Sequence, residues 1–78
     1  MNNKICEINR KIGIRIRVAR LDKKISQEKL AEFADLNKNT VGSIERGEIS
    51  PTIETLYKIS EALDIELHDL VDVTKINI

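Results

Sequence analysis

Apolar residues at Ile5, Ile8, Ile12, Ile16 and Ala19 recur in steps of three and four, the spacing that lines one face of a helix running to about Asp22. Ser26 ahead of Gln27 and Glu28 supplies an N-cap oxygen and an acidic first turn, which predicts a short second helix with Leu30, Ala31 and Ala34 facing inward. The run Asp35, Leu36, Asn37 breaks it. Asn37 then caps a third helix that turns Val41 and Ile44 inward and stops at Gly47, a residue suited to the left-handed conformation past a last turn. Ser50 and Pro51 set a cap and a first-turn proline for a fourth helix, with Ile53, Leu56, Ile59 and Leu63 on one side. After a break at Asp64, Ile65 and Glu66, a brief fifth helix carries Leu67, Leu70 and Val71. Residues 73 to 78 follow as a tail with more apolar side chains than simple solvation explains. No repeat, low-complexity stretch or strand pattern precedes that tail, so the expected fold is all-α, a single five-helix domain over residues 1 to 78.

Composition narrows the chemistry. A chain of 78 residues buries a modest fraction of its surface and gains from oligomerising. One cysteine, Cys6, closes no intrachain disulfide, and with the lone His68 it falls short of a zinc ligand set, so no metal and no cofactor are expected. Cys6 reads as a small apolar filler and His68 as a surface residue. With no apolar run of membrane length and no signal-peptide stretch, the reading is a cytoplasmic protein without a membrane association. No Gly-rich phosphate loop and no nucleophile with a base beside it are present, which argues against an enzyme. The net charge of zero conceals a gradient: residues 1 to 25 hold +6, residues 26 to 50 hold −2 and residues 51 to 78 hold −4. Such polarity suits a basic side facing phosphates and an acidic side turned away, or equally a solvated surface of mixed charge.

Two short helices over residues 27 to 45, with small Ala31 where they cross, let the second project from the domain. The strings IGIRIRVAR, SQEKLAEFADLNKNTVGSIERGEISP and TIETLYKISEALDI, within residues 12 to 65, resemble the lambda-repressor and Cro type (XRE) helix-turn-helix family of transcriptional regulators. The length and the run before the first helix look most like the controller proteins of restriction-modification systems. The resemblance implies a lambda-repressor-like fold and a repressor or activator that binds double-stranded DNA, with the third helix in the major groove. It implies that Gln27, Asn37 and Arg46 hold phosphates and that Lys38, Asn39, Thr40 and Ser43 reach base edges. Lysine pairs best with guanine O6 and N7, and asparagine with adenine N6 and N7. Asn37 and Asn39 read equally as a cap and a surface residue. Arg20 and Glu45 match a pair that ties the first helix to the end of the third.

Two positions depart from the family's pattern. Gly42 stands inside the recognition helix, at about 1 kcal/mol relative to alanine, where a longer polar side chain is usual. It removes one reader or lets the backbone approach DNA closely. The loop Glu48, Ile49, Ser50 has no basic residue for a minor-groove contact. Glu28, Glu32 and Asp35 lie where acidic residues of activating relatives touch RNA polymerase, although a charge run more often marks a solvated face. Phe33, among them, either packs near Ile8 or stands as an exposed contact.

One such domain makes few base contacts, so the expected functional unit is a homodimer on a palindromic operator. The interface is expected in residues 65 to 78, from Ile65, Leu67, Leu70, Val71, Val73, Ile76 and Ile78. The rival reading is a protein-interaction module, such as an antitoxin or anti-repressor, that keeps the fold and binds a protein instead.

Overall fold

The computed structural model describes residues 3 to 75, all of whose regular elements are helical. They are α1 (Asn3–Asp22), α2 (Gln27–Ala34), α3 (Lys38–Glu45), α4 (Ile53–Leu63), α5 (Leu67–Leu70) and a closing 3-10 turn (Val73–Lys75). The core joins Ile12, Ile16 and Ala19 of α1 to Leu30, Ala31 and Ala34 of α2, Val41 and Ile44 of α3, and Leu56, Ile59 and Leu63 of α4. The 3.6-residue period puts these side chains on one face of each helix, and burying that face stabilises helices too short to persist alone.

Local chemistry ends each helix where the core needs a turn. The Ser26 hydroxyl accepts from the Lys29 N–H (3.0 Å), and Asp35 closes α2 in the left-handed region at φ 55°. Asn37 Oδ1 accepts from the Asn39 N–H (2.7 Å) to open α3, and Gly47 at φ 73° follows its end. Only two residues, Leu36 and Asn37, lie between the Asp35 cap and α3. That short turn fixes the angle at which α3 leaves the body.

α1 and α3 meet backbone to backbone at Gly13. A Cβ there would lie 2.4 Å from the Ile44 carbonyl oxygen and 2.6 Å from that of Glu45, neither of which can swing aside as a side chain would. Gly13→Ala therefore sets a helix-propensity gain of about 1 kcal/mol against an overpacking cost of about 1–3 kcal/mol. The cost should win because the obstacle is main chain. The expected result is a lower urea midpoint at unchanged m-value. A variant as stable as the parent would show that the two helices have room to separate.

Several sequence expectations are corrected. Thr52 rather than Ser50 caps α4: its hydroxyl accepts from the Thr55 N–H (3.1 Å), and Pro51 precedes the cap instead of opening the helix. Ser50 serves another purpose, accepting from Asn9 Nδ2 of α1 at 2.8 Å. Ile53 is 70% exposed, because it sits at the first turn of α4, beyond the edge of the core. Ile5 and Ile8 of the α1 stripe are exposed, Ile8 because the neighbouring Asn9 takes the inward position there. Phe33 is also exposed, with Lys29 Nζ 5.3 Å from its ring centre.

The largest correction concerns Leu70. Assigned from sequence to an interface between protomers, it is 0% exposed and belongs to the core of its own chain. Ile65, Leu67, Val71 and Val73 are half-buried against the same core, because α1 runs back past α5 and the closing turn. Ile76 and Ile78 lie outside the described residues.

Candidate nucleic-acid interface

The end of α3 is tied to the body by a buried ionic group. Arg20 of α1 presents its guanidinium edge to Glu45, donating from Nε to Oε2 (2.7 Å) and from Nη2 to Oε1 (3.0 Å). The Arg20 side chain is 10% exposed and the Glu45 side chain 2%. Nη1 of Arg20 donates to the Ile25 carbonyl (2.8 Å), and Gln27 Nε2 at the start of α2 donates to Glu45 Oε1 (3.0 Å). Planar bidentate pairing of this kind fixes direction as well as distance. One carboxylate thus gathers α1, α2 and α3, and no described buried side-chain polar atom is left without a partner.

Held this way, α3 turns Val41 and Ile44 into the core and leaves its other side open. Lys38 and Asn39 are exposed, Thr40 and Ser43 half-exposed, Arg46 exposed just past the last turn, and Asn37 exposed at the cap. Gln27 is half-buried beside them. Six of the seven residues singled out from sequence for contact with DNA therefore stand at the two ends and along the open side of α3, and Gln27, at the start of α2, lies beside it. Gly42 has a different role from the one its position suggests: a Cβ there would fall 3.0 Å from Arg46 Nη1 and 3.6 Å from Gln27 Oε1. The space above it is occupied by protein side chains, so glycine lets Arg46 fold back over the helix next to Gln27.

Both cations on this face have carboxylate partners. Lys38 Nζ lies 3.0 Å from Glu28 Oε1 of α2, an ion pair open to solvent on both sides. Arg46 donates from Nε and Nη2 to the two oxygens of Glu48 at 3.0 and 3.1 Å. Hydrogen bonding to Arg46 holds the Glu48 carboxyl below its ordinary range, and the same contact raises the Arg46 guanidinium. Sequence reasoning missed both pairs, and also Gly13 and the Asn9–Ser50 bond. Glu28 and Lys38 are ten residues apart on different helices, beyond the reach of any local pairing rule. Gly13 alone left a signal, since glycine inside a helical stripe points to a close packing contact.

Among the described residues no group of His, Cys, Asp and Glu could hold a metal ion, and no helix is long and apolar enough to cross a membrane.

A family model described as Helix-turn-helix matches residues 16–70. The chain is similar to control protein C.BamHI of Bacillus amyloliquefaciens, 42% identical over 65 residues that span 82% of this chain and 80% of that protein. It is also similar to the HTH-type transcriptional regulator SinR of Bacillus subtilis, 42% identical over 62 residues, which span 78% of this chain and 56% of SinR. Among solved structures, the restriction-modification controller protein C.AhdI from Aeromonas hydrophila superposes with a TM-score of 0.78 at 39% identity, covering 80% of this chain and 94% of that one. The wild-type controller C.Esp1396I superposes at 0.73 with 30% identity, covering 76% of this chain and 77% of that one.

Proposed function

The chain belongs to the helix-turn-helix family of DNA-binding transcriptional regulators, not a class of enzyme, and from that premise we propose that it is a sequence-specific regulator of the restriction-modification controller kind. It pairs as a homodimer on a palindromic operator and lays α3 in the major groove of each half-site. The observation that carries this reading is the pinned, one-sided α3: Lys38, Asn39, Thr40 and Ser43 on its open side, Glu45 locked beneath by Arg20 and Gln27. A helix that must read base edges needs a fixed angle, and a buried bidentate pair supplies one.

Each residue then has a task set by its donors. Lys38 gives ammonium hydrogens to guanine O6 and N7, and Asn39 matches the acceptor and donor of an adenine edge. Thr40 and Ser43 offer hydroxyls, with the Thr40 methyl toward a thymine methyl. Gln27, Asn37 and Arg46 flank these readers and hold phosphates, which sets register without reading sequence. Two protomers are needed because one such helix spans only a few base pairs.

We place the pairing surface beside α4 and α5, at the apolar side chains of Ile65 and Leu67 in a groove that Tyr57, Glu61, Asp64 and Glu66 also line. Hydrogen bonding to Glu61 pushes the Tyr57 phenol above its ordinary range. A twofold axis on this side would also keep the acidic C-terminal third away from the phosphates.

The test is binding selection from a randomised duplex library with the parent, Asn39→Ala and Arg46→Ala. Asn39→Ala should lose discrimination at one position per half-site by about 1–3 kcal/mol, whereas Arg46→Ala should weaken all sequences alike and flatten the salt slope by about 1. A preference profile unmoved by Asn39→Ala would sink the assignment. The selected sites should be palindromic, and operator affinity should follow self-association measured by sedimentation.

A further inference from the structure

Lys38 carries the main cationic contact to a base in the reading above, yet its ammonium is already engaged by a carboxylate from another helix. Glu28 Oε1 sits 3.0 Å from Lys38 Nζ, and both side chains are largely exposed. A lysine ammonium is a compact point charge on a flexible stem, so an unpartnered one at a groove edge goes to whichever phosphate is nearest. That behaviour adds to binding of every sequence through counterion release.

We propose that Glu28 is a specificity-determining positioning residue, acting through Lys38 to disfavour phosphate and favour a base edge, an inference that rests on the operator reading above. The distinction is between an anion and a neutral pair of acceptors. A phosphate approaching Lys38 brings a full negative charge up to the Glu28 carboxylate and is repelled. The guanine edge presents O6 and N7 without net charge. The ammonium has three N–H donors; one stays on Glu28 and two remain for the base. Glu28 also limits the directions the lysine stem can explore before DNA arrives. Arg46 is paired with Glu48 in a similar way, so a phosphate held by Arg46 must displace that exposed carboxylate.

The experiment compares the parent chain with Glu28→Gln, Glu28→Asp and Glu32→Gln on two duplexes: one recovered by selection from a randomised library and one of scrambled sequence. Glu32 lies on the same helix but pairs with Lys29, so it controls for the loss of one negative charge. Glu28→Gln should tighten binding of the scrambled duplex by roughly two- to fivefold per recognition helix. It should also steepen the slope of log K against log salt on that duplex by about 0.9 per freed ammonium. Affinity for the selected duplex should change less, so the specificity ratio falls. Glu28→Asp should retain most of the ratio, and Glu32→Gln should leave it near the parent value. In a Lys38→Gln background the effect of Glu28→Gln should vanish. An unchanged ratio in Glu28→Gln, or an equal effect with Lys38 removed, overturns the role of Glu28 while leaving the operator reading intact. A parent chain that selects no sequence overturns the operator reading itself, and this inference with it.

Discussion

Leu70→Asp is expected to abolish the cooperative fold of the single chain, and the change should be visible as lost helical circular dichroism and collapsed amide dispersion. Leu70 is fully buried, packed with the α1 and α4 side chains of its own protomer. Truncating such a leucine to alanine costs about 2–5 kcal/mol, and an unpaired carboxylate in its place adds several kcal/mol more after relaxation. A small domain has only about 5–15 kcal/mol of stability in all. The loss consumes most of it. Had Leu70 lain at an interface between protomers, the same change would leave a folded or partly folded monomer. A Leu70→Asp chain that sediments as a monomer with a sharp unfolding transition would return Leu70 to the surface. Pairing is better probed at Leu67, half-buried beside the groove, where a lysine can carry its charge out to water.

Glu45→Ala should cost about 3–5 kcal/mol, the range for removing one partner of a buried ion pair. The reason is what stays behind. Arg20 keeps its charge at 8% residue exposure with only the Ile25 carbonyl as a partner, and Gln27 loses the acceptor for its amide. A solvent-exposed pair would be worth only about 0–1 kcal/mol, so urea unfolding separates the two cases clearly. A loss below about 1 kcal/mol would place the pair in the exposed class. Replacing Arg20 and Glu45 together by apolar residues should recover most of the stability, since no charge is then stranded. Operator binding should not recover with it, because nothing then sets the angle of α3 against α1. A double-mutant cycle read both in stability and in DNA affinity separates the two roles.

Most helices are legible in the sequence, because each is written in local chemistry. Ser26 and Asn37 have the side-chain oxygens an N-cap requires, and the spacing of Leu30, Ala31, Ala34, Val41 and Ile44 names an inward face. The residues around α3 were legible for a different reason: the string from Ser26 to Pro51 resembles a family in which those positions have known tasks. The α4 cap was misplaced by two residues because Ser50 and Thr52 are both competent caps. The helix starts two residues later than Ser50 would set it, with the Thr52 hydroxyl on the Thr55 N–H and the Ser50 hydroxyl taken by Asn9 of α1.

By itself, then, the sequence determined an all-helical domain, the place of the helix-turn-helix and which residues stand around α3, since period, caps and motif act over a few residues. Tertiary structure decided which apolar side chains the chain keeps for itself and which ionic partners each charge finds. Leu70 looked surplus to a four-residue helix, and only the return of α1 alongside α5 gives it a core to enter. Glu28 looked like one of a run of solvated acids, and only the turn between α2 and α3 brings it to Lys38. Gly13 needed the crossing of α1 on α3 to become indispensable. Burial and ion pairing depend on distances between segments far apart in sequence, and those distances exist only once the helices have packed.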